Sequence, residues 1–317
     1  MVLEAQERLR PYVAETPLFP CKVVSKVYGG NVFLKLETLQ PIGVFKIRGA
    51  LNRLLSLTDE QRSRGVVTAS SGNHGIAVAY AANLLGVRAV VYVPESANPR
   101  KAGAIRNYGA TLIQKGRDYQ ESYEAAILHA STCGTTFVHA YDDPWVIAGQ
   151  GTIGLEILNA NDAIDSVIVG VGGGGLISGI ALAAKNIKPS LRVVGVQAEG
   201  ASAVHDSWKA NKIIEAENVS TIADGLASRK PGELTFALMR KYVDNMLLVG
   251  DSELISAVSL FLRDCRLVVE PAGAAPLAAL KERYKPKEHE QIALVVSGGN
   301  ISSDLLHRVV EEVAREG

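Results

Sequence analysis

Charge of one sign is what this chain lacks: its 33 lysines and arginines meet 33 aspartates and glutamates, for a formal net charge of zero at pH 7. Without a single-sign field to attract polyanions, neither nucleic acid nor an anionic membrane surface is expected as a partner, and small-molecule chemistry is. Cysteine is scarce as well. Cys21, Cys133 and Cys265 are odd in number and far apart, giving neither a disulfide framework nor a zinc-ligand spacing. All three are expected as buried structural thiols of a protein working in a reducing cytoplasm. A membrane span is also missing. The uncharged stretch 166–184 has the length of one, but six of its residues are glycines clustered at a strand-to-helix turn, which predicts a buried βα unit. The N-terminal MVLEAQERLRPY is charged and amphipathic rather than a basic segment leading into an apolar core, so no secretory signal is expected. Low-complexity tracts and solenoid-period repeats are absent, and no regulatory module is expected after the final helical run, 302–316.

What the chain does have is apolar content, 47%, and an alternation of Val/Ile-rich runs with helix-period runs. The strand-type runs fall at 31–37, 65–70, 88–94, 110–115, 136–140, 166–171, 191–199, 245–250 and 291–298. Repeated βα units of this kind predict an α/β protein whose parallel sheets are covered on both faces. That many strands exceed one mononucleotide-binding unit, so two doubly wound lobes are expected, with ligands at the carboxyl ends of the strands.

The motifs lie at those ends. Gly172 to Gly175 separate the strand run SVIVGV from the helix run LISGIALAAK. A loop without Cβ atoms at a helix N-terminus lets backbone N–H groups converge on an oxyanion, so an anionic cofactor is expected. No Gly-Lys-Ser/Thr follows, which argues against a nucleoside triphosphate. Gly170, Gly172 and Gly175 also spell GxGxxG, with Glu199 ending the next strand where a ribose-binding acid belongs, so a dinucleotide is an open alternative at this point. Lys46 stands in LQPIGVFKIRGALNRLLSL, almost at a helix start. The helix dipole and desolvation by Val44, Phe45 and Ile47 both push its pKa down, towards a nucleophilic amine. Ser70-Ser71-Gly72-Asn73-His74-Gly75 joins a strand to a helix and offers N–H groups and hydroxyls to a carboxylate, although a plain N-cap turn would read the same. His74 is expected as a packed or capping imidazole. Ser297-Gly298-Gly299-Asn300 ends the last strand and places a hydroxyl at the sheet's edge.

Taken together, KLETLQPIGVFKIRGA, SSGNHG, YDDPWVIAGQGTIGLEI, VGGGGLISG, TIADG, VVEPAGAA and VSGGN resemble the fold-type II pyridoxal-phosphate enzymes, and within them the threonine dehydratase and serine racemase branch. These motifs run from Lys35 to Asn300, so the resemblance covers nearly the whole chain and makes the dinucleotide match incidental. It implies a tryptophan synthase β-like fold, with a large cofactor-binding domain at 1–64 and 139–317 and a small mobile domain at 65–138. It also implies roles: Lys46 joined covalently to the cofactor aldehyde, and Gly172, Gly173, Gly174, Gly175 and Leu176 holding its phosphate through their N–H groups. Asn73 would bond the ring hydroxyl oxygen, Phe45 would cover the ring, and Ser297 would bond the pyridine nitrogen. Ser70, Ser71, Gly72 and Asn73 would receive the substrate carboxylate, and Ser71 would also relay a proton.

The implied reaction is β-elimination from L-threonine, and from L-serine, to a 2-oxo acid and ammonia, with serine racemase as the alternative. Arg48-Gly49-Ala50 after Lys46 sets the chain apart from the sulfhydrylase branch and the threonine synthases, which resemble one another in an Asp-Arg type sequence there. A homodimer or homotetramer acting on an amino acid is implied. Two departures stand out. Val44 occupies a place where the family commonly has serine. A divalent cation site (Mg, Ca or Mn) that some relatives build would use Glu199 and the Ala203 carbonyl, but its third position here is His205, a poorer ligand for a hard cation.

Overall fold

The computed structural model of the chain describes residues 1–97 and 99–316. Its strands are β1 (Leu18–Pro20), β2 (Asn31–Leu36), β3 (Val66–Ala69), β4 (Ala89–Val93), β5 (Thr111–Gln114), β6 (Thr136–Phe137), β7 (Ser166–Gly170), β8 (Arg192–Ala198), β9 (Asn245–Val249) and β10 (Gln291–Val296). They form two sheets, a six-stranded one in the order β1-β2-β10-β7-β8-β9 and a four-stranded one in the order β5-β4-β3-β6. All pairings are parallel except β1 with β2. The chain divides into two compact units: Met1–Val13 with Lys46–Gln150, and Ala14–Phe45 with everything from Gly151 onward. Residues 65–138 fall wholly within the first of these, which also takes in the lysine helix Lys46–Leu55.

The second unit shows how the sequence pattern becomes a doubly wound sheet. Successive side chains of a strand point to opposite faces. Ile168, Val194 and Leu294, cross-strand neighbours, belong to one core with Leu254 and Phe261 of the helix Asp251–Cys265 and Ala274 and Leu277 of Pro271–Glu282. Their sequence neighbours Val167, Val193 and Ala293 belong to a second core with Ile153, Ile157, Ile177 and Ile180. Strands buried on both faces must read as continuous apolar runs, and β7 is buried at every residue.

Because β2, β10, β7, β8 and β9 are parallel, their carboxyl ends share one edge of the sheet. That edge carries the segments beginning at Glu37, Ser297, Val171, Glu199 and Gly250. In the first unit β3 and β6 are parallel neighbours, so Ser70 and Val138 also begin loops at one edge. The Thr68 hydroxyl donates to the Val138 carbonyl at 2.8 Å and ties the two exits together.

Two expectations need correction. The run 136–140 is strand only over Thr136–Phe137 before the chain turns into the site loop. Of the thiols expected to be buried, only Cys21 is; Cys265 is half-buried and Cys133 is exposed, near the end of a helix whose buried residues include Ser122 and Ala126.

One charge pair is sealed in the second unit. Lys35 on β2 faces the same core as Val295, and its Nζ lies 2.5 Å from Glu156 Oε2, with the lysine 1% and the glutamate 5% exposed. Removing one partner of such a pair strands a buried charge, which costs about 3–5 kcal/mol, whereas replacing both by apolar groups is close to neutral. Lys35→Met alone should therefore lower unfolding stability by about that amount, and Lys35→Met with Glu156→Leu should recover most of it in denaturant titrations. Equal losses in the single and double variants would show that the pair carries no such coupling.

Candidate active site

The glycine loop of the second unit is shaped by what surrounds it. A Cβ on Gly170 would stand 2.8 Å from the Ala272 carbonyl oxygen, and one on Gly172 only 2.5 Å from that of Gly225. Gly174 has φ +96°, a conformation side-chain-bearing residues rarely adopt, and caps the helix Gly175–Ile187. The buried Thr235 hydroxyl donates to the Gly173 carbonyl at 2.8 Å and fixes the turn from behind. Among the described residues, the N–H groups of Gly172, Gly173, Gly174, Gly175 and Leu176 have no acceptor. Mostly buried donors at the positive end of a helix dipole call for an anion, and a phosphate monoester fits.

Beside this loop in strand order, β10 runs into Ser297, which is 4% exposed. Its carbonyl accepts the Phe45 N–H at 3.0 Å, while its hydroxyl makes no hydrogen bond among the described residues. The same strap continues through a bridge between Val44 and Gly298 and a bond from Gly299 N–H to the Gly43 carbonyl. The Asn300 amide closes it by donating to the Ile42 carbonyl at 3.1 Å. Val44, the departure noted in the sequence, is fully buried here, so its methyl groups pack where a hydroxyl would need a partner. Phe45 packs against the core that includes Val171 and Leu176, the start and end of the glycine turn.

In the first unit, Lys46 opens the helix Lys46–Leu55 and its Nζ donates to the Ala140 carbonyl at 2.8 Å. Close backbone contact sets that helix against the start of Pro144–Ala160: a Cβ on Gly49 would meet Gln150 Nε2 at 2.3 Å, and one on Gly149 would meet the Arg48 carbonyl at 2.5 Å. This explains the glycines in KIRGA and IAGQG. Ser70, Ser71 and Gly72 lead into the helix Asn73–Leu85, whose N-cap is Gly72, with no side chain capping it. Ser70 Oγ accepts the Gly72 N–H at 3.2 Å. The N–H groups of Ser71, His74 and Gly75 have no acceptor among the described residues, so this turn is not a serine cap and leaves donors that an anion could accept from.

His74 is a packed imidazole, as expected. Its Nε2 lies 3.0 Å from the Val138 carbonyl, which can only accept, so the proton sits on Nε2. Burial, and then the charge of Lys46, drive its pKa down to about 3. His139, which the sequence reading passed over, is the second imidazole near the lysine. Its Nδ1 accepts N–H bonds from Tyr141 and Asp142, and burial first, with Lys46 among the further causes, lowers its pKa. Both rings are held neutral, so neither competes with Lys46 for the role of charged group. The signal for His139 was its position one residue before Ala140, in the loop that follows a short strand.

Glu199 and Ala203 lie at the carboxyl end of β8 but are otherwise engaged. Glu199 Oε1 is 3.6 Å from the Arg283 guanidinium, the Ala203 carbonyl accepts the Ser207 hydroxyl at 2.6 Å, and His205 pairs with Asp206. Among the described residues no group of three or more His, Cys, Asp or Glu is placed to hold a metal ion.

Residues 9–298 match the family described as pyridoxal-phosphate dependent enzyme. The chain belongs to that family. It is 43% identical over 311 residues to an L-threonine ammonia-lyase of Thermotoga maritima, covering 98% of this chain and 77% of that protein. Among solved structures it is similar to maize serine racemase, with TM-score 0.93 and 38% identity over 99% of this chain and 97% of that one. It is also similar to the processed form of threonine deaminase isoform 2 from Solanum lycopersicum, with TM-score 0.92 and 34% identity over 100% of this chain and 89% of that one. The α/β architecture with two parallel sheets is that expected of fold-type II, and the acceptor-free glycine amides suit the phosphate that the family's cofactor carries.

Proposed function

We propose that this protein is a pyridoxal-phosphate-dependent ammonia-lyase that converts L-threonine, and also L-serine, to the 2-oxo acid and ammonia. The observation that carries the choice of reaction is near-full-length identity, 43% across 98% of the chain, with a protein named for that activity. Pyridoxal phosphate, when bound, supplies an electron sink for the bond broken at the substrate's Cα.

The chain's own groups do the rest. Lys46 Nζ would hold the cofactor through its aldehyde carbon and, as a free amine, would accept the substrate's Cα proton. The Ala140 carbonyl, 2.8 Å from Nζ, keeps that amine in position. The Ser71, His74 and Gly75 amides, which have no acceptor among the described residues, with the Ser70 and Ser71 hydroxyls, Gly72 and Asn73, would receive the substrate carboxylate, and Ser71 would relay a proton as the β-hydroxyl leaves as water. The Asn73 amide would bond the cofactor's ring hydroxyl oxygen, Phe45 would cover the ring, and Gly172 to Leu176 would hold the phosphate. The Ser297 hydroxyl would face the pyridine nitrogen as a neutral partner, where a carboxylate would keep a proton on that nitrogen, and would so favour elimination over transamination. A divalent cation at Glu199 and the Ala203 carbonyl would have to draw Glu199 away from Arg283 and compete with the Ser207 hydroxyl for that carbonyl. A homodimer or homotetramer in the cytoplasm is part of the same reading; among the described residues no helix is long and apolar enough to cross a membrane.

The deciding assay incubates the cofactor-loaded protein with L-threonine and with L-serine and follows 2-oxobutyrate, pyruvate and D-serine. We expect 2-oxobutyrate as the fastest product. D-serine as the main product would move the protein to serine racemase, a reading that the likeness to the maize enzyme favours; no product from either amino acid would overturn both.

A further inference from the structure

Two of the three cysteines, 244 residues apart in sequence, meet in the second unit: Cys21 Sγ and Cys265 Sγ are 3.6 Å apart. Both line one cavity of about 540 Å³, otherwise walled mainly by Phe19, Pro20, Val23, Leu34, Leu36 and Leu267. We propose that Cys21 and Cys265 are a reversible redox site, closing to an intramolecular disulfide on exchange with a small disulfide that enters this cavity.

The geometry favours closure. Cys21 stands just before the helix Lys22–Tyr28, and Cys265 is the last residue of Asp251–Cys265, where Arg266 leaves the helix with φ 59°. Helix ends are where a side chain can swing without breaking a turn, and a disulfide needs the sulfurs at about 2.05 Å. Cys21 sits at the positive N-terminal end of its helix and Cys265 at the negative C-terminal end of its own, which makes Cys21 the better thiolate and the attacking group; the hydrogen bond between the thiols lowers the pKa of Cys21 in the same sense.

The electrons balance against a small disulfide RSSR. Cys21 thiolate attacks one sulfur and expels RS⁻, giving a Cys21–S–SR mixed disulfide. Cys265 then loses its proton, attacks the Cys21 sulfur and expels the second RS⁻, so two protein thiols are oxidised as one RSSR becomes two RSH. The product staples the segment after β1 to the end of the Asp251–Cys265 helix. That helix leads through Val268 and Val269 to Glu270, whose N–H donates to the Gly298 carbonyl at 3.1 Å next to Ser297. Closing so long a loop removes much freedom from the unfolded chain.

Cys133 is exposed, so the test uses Cys133→Ser protein, equilibrated with cystamine. Intact mass should fall by two hydrogens, and a Cys21–Cys265 crosslinked peptide should appear. Thermal unfolding should rise by roughly 5 °C and return on adding dithiothreitol. Cys21→Ser or Cys265→Ser in that background should take one cysteamine adduct at most and form no crosslink. Should either variant fail to fold, iodoacetamide mapping of the Cys133→Ser protein decides alone: protection of both thiols without an adduct supports the site. Two cysteamine adducts, or two thiols still open to alkylation, would overturn it.

Discussion

Lys46→Ala is expected to reduce 2-oxobutyrate formation from L-threonine by roughly 10³-fold or more, since in the proposed mechanism Lys46 is both the covalent anchor of the cofactor and the base at Cα. The fold should survive. Lys46 is half-buried at the first position of its helix, and the helix is held by Ile47, Leu51 and Leu54, each fully buried, and by the glycine contact with Pro144–Ala160. Circular dichroism and the unfolding midpoint should therefore match the parent within a few degrees while activity disappears. Borohydride reduction of the parent should leave a cofactor adduct on the peptide containing Lys46. Unchanged turnover in the variant would take the lysine out of the chemistry and leave a protein that keeps the fold around its cofactor for another purpose. The neutral state of His74 matters to this expectation. With a pKa near 3 it cannot act as a substitute cation or acid at working pH, so no neighbouring imidazole should rescue the loss.

Much of the parallel sheet was legible because a strand buried on both faces has to be a run of apolar residues, and β3, β7 and β10 are such runs. β1 was not. It has three residues, LFP, closed by a proline and exposed along much of its length, and it earns its place only by antiparallel pairing with β2 at the edge. The Cys21 and Cys265 pair was equally hidden, since nothing local in the chain records a contact across 244 residues. At the site, the chemistry that one segment contains could be read directly: four glycines before a helix demand an anion, and a lysine at a helix start among apolar residues suggests a reactive amine. Contacts supplied from elsewhere could not. Ala140 comes to Lys46 from 94 residues away, and Gly225 packs on Gly172 through the short turn Asp224–Leu226. The sequence also could not separate the glycines that admit a ligand from those that admit the protein's own backbone.

That distinction makes Gly172→Ala the sharper test of the proposed phosphate site. The added methyl would lie 2.5 Å from the Gly225 carbonyl oxygen, which is backbone and cannot rotate away. Retreat of that turn is blocked in part, because Gly225 itself has the Ala272 Cβ only 2.9 Å from where its own Cβ would be. Overpacking of this kind costs about 1–3 kcal/mol and is relieved by shifting whichever loop is softer, here the glycine turn whose amides have no acceptor among the described residues. Displaced by a few tenths of an ångström, several charge-assisted hydrogen bonds to a phosphate weaken together. The cofactor dissociation constant should rise by roughly 100-fold, about 2.7 kcal/mol, in an absorbance titration of the apoprotein. Gly72→Ala is the matched control. A Cβ there meets nothing within 4 Å among the described residues, so cofactor affinity should stay at the parent value while KM for threonine rises. Equal affinity in the Gly172 variant and the parent would mean that the phosphate is anchored elsewhere, and equal loss in both variants would mean that the two turns hold the same ligand group.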